Sequence, residues 1–319
     1  MAMDQKTHRK DSPLRIFIID SPRLRSHLFF RFLSTSSQLA PIYHPFMIAA
    51  MFGPEEVWQH MKDQKFRKIN LGEECKPLYD DATFENSQEA FLKAVGAAES
   101  EGRVVLSNEH WFNLLKTDVF VDLVRGNVRE PAGLPQNPTH IPDDIFETLT
   151  PIFMIRHPII AVRSLWRDAQ WFSKQLPGED DFDVIVSNKY QRLLFDFFKA
   201  QGRTAIVVDG EDILWRTQDM VKGLCAALGG GIDPAGLSET WDPTSKEELE
   251  RMHPVIATLT KDIQESRGIV RPDVKPGEPS LNTQVQKWSD EHGDSIAEQL
   301  RGLVLENMPH YEYLKQFAV

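Results

Sequence analysis

Four short, uniformly apolar segments constrain the fold of this chain more than any other feature of its sequence. They are 16–19, 104–106, 151–155 and 205–208, and patterns of helical period separate them. Segments without a polar face are typical of strands buried on both sides, and strands that alternate with helices are typical of a parallel sheet. The sequence therefore predicts an α/β fold with a doubly wound, mainly parallel sheet and helices on both faces.

The first apolar segment leads directly into a loop and a helical pattern. The segment ends at Asp20, and apolar residues spaced as on one helix face begin at Leu24. Arg23, Arg25 and Ser26 lie at this junction. Backbone N–H groups and the positive end of the helix dipole would meet two guanidinium groups there, which favours a phosphate or a sulfate. An ordinary strand-loop-helix unit with solvated arginines is the structural alternative, and this unit alone favours it.

A second candidate anion site follows the third apolar segment. Arg156 comes at the end of the predicted strand, Pro158 suits a first helical turn, and Ser164 lies eight residues after Arg156. Ligands of open α/β sheets bind beyond the carboxyl ends of the strands. A guanidinium group from the strand end and a hydroxyl from the helix can therefore meet on one phosphate.

The composition indicates a soluble, globular, intracellular protein. The chain has 319 residues, of which 41% are hydrophobic, and we expect a flexible tail over 1–13 and a single domain over 14–319. Its formal net charge of −11 argues against a nucleic-acid partner. We find no secretory signal and no apolar run that could cross a bilayer, so we expect a cytoplasmic protein with a small-molecule substrate and no membrane partner. A monomer and a homodimer are both compatible with the sequence.

The two cysteines predict no special chemistry. Cys75 and Cys225 are far apart and form no metal-ligand spacing with a second cysteine or a histidine. Neither a disulfide framework nor a zinc site is indicated, and we expect no metal.

Periodicity also predicts the main helices and loops. Helices are expected at 89–98 with Ser87 as N-cap, at 188–200 and at 289–306. Residues 41–52 are interpreted as a buried connection and a short helix. Four prolines in 125–142 predict a long loop.

The two anion motifs together resemble those of sulfotransferases that use 3′-phosphoadenosine 5′-phosphosulfate (PAPS). Arg156-His-Pro-Ile-Ile-Ala-Val-Arg-Ser-Leu165 is similar to the segment that binds the 3′-phosphate, and Ser21-Pro-Arg-Leu-Arg-Ser-His-Leu28 resembles the 5′-phosphosulfate loop in its filamentous-fungal form. Residues 207–214 continue the resemblance, and 287–288 and 308–314 do so more weakly. The resemblance implies a P-loop nucleotide-hydrolase type of sheet, PAPS as cofactor and no metal, whereas GxxxxGK[ST] itself is absent.

The resemblance also implies roles for individual residues. The cofactor-binding residues would be Ser21, Pro22, Arg23, Arg25, Ser26, His27, Arg156 and Ser164. Arg23 would also act in catalysis as a cation on the 5′-phosphosulfate. His110 is the first candidate for the base that deprotonates the acceptor hydroxyl, and Glu109 is the second. A structural Glu and His at a helix start is the alternative.

Aromatic residues dominate the segments around this expected site. We expect Phe29, Tyr43, Phe46, Trp111 and Trp166 to contact the acceptor, within a larger aromatic set that adds Phe30, Trp58, Phe112 and Trp171. Such a lining favours a small apolar or phenolic molecule over a sugar or a protein. Most of the rings are expected to be core.

Two departures from the family pattern leave three functions open. Arg25 occupies a position where many sulfotransferases have glycine, and Asn108 one where the family often has lysine. The first function is PAPS-dependent transfer of a sulfuryl group to a hydroxyl in small-molecule, secondary metabolism. The second is cofactor-independent acid–base chemistry such as cyclisation, dehydration or isomerisation. The third is a nucleotide- or partner-binding protein without catalysis.

Overall fold

A five-stranded parallel sheet forms the centre of the molecule. The computed structural model describes residues 13–55, 57, 81–171, 176–178, 180–252, 256–257, 260–275 and 277–319. The strands are β1 (Arg15–Asp20), β2 (Leu39–Tyr43), β3 (Val104–His110), β4 (Leu149–Ile155) and β5 (Ile206–Asp209). They are ordered β2-β3-β1-β4-β5, and every pairing is parallel. The predicted doubly wound, parallel α/β fold is confirmed.

Helices connect and cover the strands. They are α1 (Ser26–Leu33), α2 (Met47–Phe52), α3 (Phe84–Ser100), α4 (Trp111–Leu114), α5 (Thr117–Val124), α6 (Asp143–Phe146), α7 (Pro158–Trp171), α8 (Asp180–Val186), α9 (Asn188–Ala200), α10 (Asp212–Trp215), α11 (Thr217–Ala227), α12 (Lys246–Arg251), α13 (Lys261–Glu265), α14 (Leu281–His292) and α15 (Asp294–Lys315). None of the helices in the described ranges is long and apolar enough to span a bilayer.

Side chains of β1 alternate between two cores on opposite faces of the sheet. Phe17 and Ile19 pack with α3, α4, α5 and α9 on one face, and Ile16 and Ile18 pack with α1 and α11 on the other. A third apolar cluster joins α7, α8, α14 and α15. Because β1 is covered on both faces, it needs no polar side until its last residue.

One strand differs from the sequence prediction. The segment interpreted as a connection begins with β2, which pairs with β3 at one edge of the sheet. Pro41 lies within this strand and is exposed. Proline cannot donate a ladder hydrogen bond, but an edge strand has one unpaired side that tolerates it. Pro41 argued against a strand in the sequence, but the edge position of β2 makes a proline tolerable there.

Two helix boundaries also differ. Helix α3 begins earlier than predicted, with Thr83 rather than Ser87 as N-cap, since the Thr83 side chain accepts a hydrogen bond from Asn86 N. The helix predicted at 289–306 is two helices, α14 and α15, which Gly293 separates with a φ of 86°. Helix α9 has its predicted bounds, with Ser187 as N-cap. The proline-rich segment 125–142 holds a single 3₁₀ turn, Pro131–Gly133, between irregular stretches.

The C-terminal segment docks on β5. The Tyr311 hydroxyl donates to Asp209 Oδ2 at 2.8 Å, and Val319 N donates to Val207 O at 3.1 Å. The free thiol of Cys225 is buried in the core around α11. Cys75, Trp58 and residues 1–12 of the predicted tail lie outside the described residues.

Candidate functional site

The loops that follow β1 and β4 lie where the sheet connections change direction. From β1 the chain continues towards β2 at one edge, and from β4 it continues to β5 at the other. Because β1 and β4 are neighbours, a crevice forms between these connections beyond the carboxyl ends of the strands. The two predicted anion motifs are the segments that follow these two strands.

Two arginines in the loop after β1 have a left-handed backbone. The φ angle is 71° for Arg23 and 67° for Arg25, a region that costs a residue other than glycine on the order of 1 kcal/mol or more. Arg25 is the N-cap of α1, and Ser26 is buried in the first turn. Arg25 thus adopts the conformation that glycine would supply and adds a guanidinium group.

Hydrogen bonds join the two predicted anion motifs. Arg23 Nε donates to Ser164 Oγ at 3.1 Å, and Arg156 Nη1 donates to the backbone carbonyl of Arg23 at 2.9 Å. Arg23 also pairs with Asp168 at 2.9 Å on the surface. Residues more than 130 positions apart in sequence therefore form one cluster.

Glu211, from the loop after β5, bridges the arginines of both motifs. Its Oε2 lies 2.8 Å from Arg25 Nη1, and its Oε1 accepts from Arg156 Nε at 2.8 Å. Burial disfavours the carboxylate, but Arg156 and Arg25 outweigh it and lower the pKa of Glu211. Burial and the charge of Arg25 lower the pKa of Arg156 to about 10. Glu211 and Arg156 are therefore both charged at neutral pH.

Two adjoining clefts open beside this cluster. A cleft of about 480 Å³ has Ser164 and Trp166 in its wall, and its charged lining consists of Arg156, Arg163, Arg167, Lys287 and Glu291. A second cleft of about 350 Å³ extends from Arg156 to Arg25 and Glu211. The excess of cationic groups fits an anionic ligand.

His110 and Asp20 form a buried pair at the ends of two neighbouring strands. The register of β1 and β3 places the two residues opposite each other, and His110 Nδ1 lies 2.5 Å from Asp20 Oδ1. Burial disfavours the imidazolium, but the charge and hydrogen bond of Asp20 outweigh it and raise the pKa of His110. Because Nδ1 donates to the carboxylate, Nε2 is the nitrogen that can take up a proton.

Glu109 is fully engaged in hydrogen bonds. Its carboxylate accepts from His44 Nδ1 at 2.8 Å, Phe46 N at 2.9 Å, His110 N at 2.9 Å and Asn113 Nδ2 at 3.2 Å. Burial acts against the charged form, but His44 leads the interactions that lower the pKa of Glu109. Glu109 is therefore an ionised group that positions its neighbours. Its carboxylate accepts hydrogen bonds from all four of the donors named above.

His27 and Tyr43 complete the surroundings of His110. His27 Nε2 lies 3.2 Å from His44 Nε2, and the His27 ring stacks 6.3 Å from the His110 ring. Burial, with the charges of His44, His110 and Arg23, lowers the pKa of His27 well below its ordinary value. The Tyr43 ring contacts the rings of His27 and His44. The histidines thus lie next to the arginine loop.

The structure separates the predicted residues into three groups. Arg23 and Arg25 lie with Arg156 and Ser164 in the cluster already described. The Ser21 hydroxyl is buried and lies 3.3 Å from the side-chain amide of Gln191, and Ser26 is buried in the first turn of α1. His27 lies instead with His44 and His110. The five predicted acceptor rings do not form one pocket: Phe29 belongs to one core, Phe46 and Trp111 to the opposite core, and Trp166 to the third cluster, while Tyr43 lies beside His27. The Trp171 side chain lies outside the described residues.

Several residues of the site were absent from the sequence prediction. Asp20 could have been found, because an acidic residue at the end of an apolar strand points to the ligand edge of a sheet. Glu211 could have been found in the same way, because it follows the fourth apolar segment. His44 and Asn113 have no such signal, since only the tertiary fold brings them to their partners.

The chain is similar in sequence to curated sulfotransferases. The chain is 26% identical over 333 residues to the sulfotransferase ppzF of Metarhizium rileyi, covering 95% of each chain, and 27% identical over 337 residues to that of Metarhizium majus, covering 95% of this chain and 96% of the relative. No protein-family model matches. Among solved structures, the sulfotransferase domain of the Synechococcus PCC 7002 olefin synthase has a TM-score of 0.47 at 16% identity, covering 98% of both chains. The sulfotransferase domain from the curacin biosynthetic pathway has a TM-score of 0.38 at 18% identity, covering 70% of this chain and 77% of that domain.

Proposed function

Because this chain is related to the sulfotransferase family, we propose that it transfers a sulfuryl group from PAPS to the hydroxyl of a small acceptor. The observation that carries the proposal is the buried Asp20–His110 pair next to a loop that presents Arg23. Sulfuryl transfer needs a base for the acceptor and cations for the charge that develops on the donor. The two kinds of group occur here side by side.

His110 is the base in this proposal. Its Nε2 accepts the proton of the acceptor hydroxyl while the oxygen forms its bond to sulfur and the bond between sulfur and the bridging oxygen of the donor breaks, which would release 3′-phosphoadenosine 5′-phosphate. The Asp20 carboxylate balances the imidazolium that results. Glu109 is less suited to this role, because a proton on either carboxylate oxygen would compete with the hydrogen bonds which that oxygen already accepts. It serves instead as a positioning residue that holds the backbone N–H of His110 and the ring of His44.

The arginine cluster holds the donor in this proposal. Arg156 and Ser164, to which the family resemblance assigns the 3′-phosphate, line the larger cleft. Arg163 and Lys287 line the same cleft and add positive charge. Bound PAPS would supply the sulfuryl group. Arg23 and the N-terminus of α1, with Ser26 in its first turn, would offset the negative charge at the 5′ end.

The surroundings of the histidines support an apolar or phenolic acceptor. The rings of Tyr43 and Phe112 lie against His44 and His110, with centroids 4.5 Å and 5.3 Å apart. Burial, with the charges of Asp20 and Glu109, raises the pKa of Tyr43, which keeps its phenol neutral. Neutral aromatic walls beside a base suit a small alcohol or phenol better than a charged acceptor.

One observation favours a second function without PAPS. Glu211 already pairs with Arg25 and Arg156 and offsets one of their two positive charges, whereas the Asp20–His110 pair needs no anion to be complete. The same base could therefore remove a proton in a cyclisation, dehydration or isomerisation.

Calorimetric titration with 3′-phosphoadenosine 5′-phosphate tests the donor site. We expect binding in the micromolar range, about −8 kcal/mol, and an Arg156→Ala variant that binds roughly 10- to 100-fold more weakly. The matched control is Arg301→Ala on the surface of α15, which should bind like the native protein. Equal affinity in both variants would count against the donor site.

The acceptor reaction is tested by mass spectrometry of phenols and alcohols incubated with PAPS. The transfer reaction is supported if the native protein forms a sulfated product and the His110→Asn variant does not. If the protein converts a candidate acceptor in the absence of PAPS, the second function is supported and sulfuryl transfer is not.

A further inference from the structure

Three histidines from separate parts of the chain converge at the carboxyl edge of the sheet. His27 is in α1, His44 follows β2 and His110 ends β3. One ring nitrogen of each lies within 4.8 Å of the others, and the Nε2 atoms of His27 and His44 are 3.2 Å apart. His44 and His110 are buried, and His27 is partly exposed. The cluster is therefore enclosed on the protein side and reachable at His27.

Carboxylates orient two of the three rings. His44 Nδ1 lies 2.8 Å from Glu109 Oε1, and His110 Nδ1 lies 2.5 Å from Asp20 Oδ1. Each ring thus donates from Nδ1 and keeps Nε2 as an acceptor, which in His44 faces the Asn108 amide at 2.9 Å. Histidines that bind metals have this arrangement almost always, because the carboxylate selects the tautomer and raises the basicity of the ligand.

The distances suit a small transition-metal ion. A zinc ion at about 2.0–2.1 Å from each nitrogen in tetrahedral geometry needs ligand nitrogens roughly 3.3 Å apart. His27 and His44 already meet this requirement at 3.2 Å. The His110 nitrogen lies no more than 4.8 Å from the other two, which exceeds the required separation by roughly 1.5 Å at most. A side-chain rotation of His110 can supply a shift of this size.

Unpaired polar atoms around the cluster point to a further occupant. Asp20 Oδ2, Asn108 Oδ1 and the Tyr43 hydroxyl are buried and have no hydrogen-bond partner within the described part of the chain. Buried polar atoms are paired in most native proteins, so three such atoms around three histidines call for a ligand. The Asn108 amide donates to His44 Nε2 at 2.9 Å, and a half-turn of this amide would present Oδ1 as an oxygen ligand instead.

We propose that His27, His44 and His110 form a binding site for one divalent transition-metal ion of the zinc type. Three neutral imidazoles select zinc, cobalt, nickel or copper over magnesium and calcium, which prefer oxygen ligands. The site goes beyond the proposed sulfuryl transfer and does not depend on it. An ion and a proton compete for the same lone pair of His110, so the metal-bound protein cannot use this residue as a base.

A cobalt titration of the full chain, freed of metals by a chelator, tests this site. We expect one equivalent of Co²⁺ to produce the visible absorption of a tetrahedral ion. Zn²⁺ should abolish the absorption by displacement, and Mg²⁺ should not. An octahedral spectrum, or the absence of a bound equivalent, would overturn the proposal.

Variants assign the bound ion to the cluster. His27→Asn removes a ligand at a partly exposed position, and we expect Co²⁺ affinity to fall at least about tenfold. Glu109→Gln should weaken affinity about 10- to 100-fold by releasing the His44 ring. His310→Asn in α15 is the matched control and should bind like the native protein. Unchanged affinity in His27→Asn would overturn the proposal even if Glu109→Gln failed to fold.

Calorimetry with 3′-phosphoadenosine 5′-phosphate on the same preparations separates this site from the proposed function. If the protein binds the nucleotide but no metal, the proposed metal site is wrong and the proposed donor site stands. Metal binding without nucleotide binding removes the donor site alone.

Discussion

Asp20 determines which nitrogen of His110 a substrate can reach. Its contact with Nδ1 sets the tautomer and, together with its charge, raises the pKa of the ring against the effect of burial. A base acts in its neutral form, so activity should fall as the pH falls through the raised pKa of His110. The pH profile therefore reports on a contact at one residue.

We expect Asp20→Asn to move the acid limb of the pH profile to lower pH. The variant removes the charge that raises the pKa of His110, so the neutral base persists at lower pH, while kcat falls about 100-fold because the imidazolium loses its counter-charge. The measurement is kcat/KM against pH for sulfated product. Asp219→Asn on the exposed face of α11 is the control. An acid limb that stays in place would show that another group titrates.

Glu211 occupies the two guanidinium groups that a phosphate would use. We expect Glu211→Gln to bind 3′-phosphoadenosine 5′-phosphate about tenfold more tightly, because the amide keeps a hydrogen-bond acceptor for Arg156 and removes one competing negative charge. Calorimetry measures this change. Weaker binding would mean that the charge of Glu211 is needed to hold Arg156 in place.

At the scale of elements, the site depends on how closely the loop after β5 approaches the loop after β1. A Cβ atom on Gly210 would lie 2.3 Å from Leu24 O, and Gly210 N donates to Ile155 O at 2.8 Å. This glycine is needed for the close approach of two backbones rather than for a special φ angle.

We expect Gly210→Ala to weaken nucleotide binding at least about tenfold, since Leu24 and its neighbours Arg23 and Arg25 must move to admit the methyl group. The control is Gly96→Ala within α3, where a Cβ meets nothing within 4 Å and where alanine should stabilise the helix by about 0.5–1 kcal/mol. Calorimetry and thermal unfolding of both variants provide the comparison. Native affinity in Gly210→Ala would mean that the two loops adjust independently.

Elements that follow local rules could be predicted from the sequence, and those that depend on position could not. The uniformly apolar strands and α9 agree with their predictions because burial on both faces and amphipathic spacing are local patterns. Strand β2 was missed because Pro41 is tolerable only at an edge, and an edge is a property of the finished sheet.

The candidate site divides in the same way. Arg23 and Arg156 each follow an apolar strand, so their meeting at one edge could be predicted. Glu211 follows the fourth apolar segment and has the same signal, although its pairing with Arg25 was not predicted. His44 was missed because it follows β2, the strand that the sequence did not predict, and its partner Glu109 comes from a distant segment. Local sequence patterns do not encode such pairs.

At the scale of the whole molecule, a hydrogen bond from α15 to the end of β5 holds the C-terminal segment against the sheet. The Tyr311 hydroxyl donates to the buried Asp209 at the end of β5. Burial and the charge of Asp209 raise the pKa of Tyr311, so this phenol remains a donor across the accessible pH range.

We expect Tyr311→Phe to lower the free energy of unfolding by about 1–3 kcal/mol, because the Asp209 carboxylate loses one of its partners while it stays buried. Urea-induced unfolding measures the change. Tyr313→Phe is the control, since the Tyr313 hydroxyl bonds Asp196 nearer the surface and should matter less. Equal losses in both variants would show that ring packing rather than the Asp209 contact is responsible.

Each edge of the described sheet has a feature that hinders the pairing of a further strand. Pro41 removes a donor from β2 at one edge, and at the other Val319 N donates to Val207 O while Ala318 forms a parallel bridge with the same residue. Exposed edges are where sheets of separate molecules join and where aggregation begins. Within the described residues, both sheet edges therefore disfavour the pairing of strands between two copies of this chain.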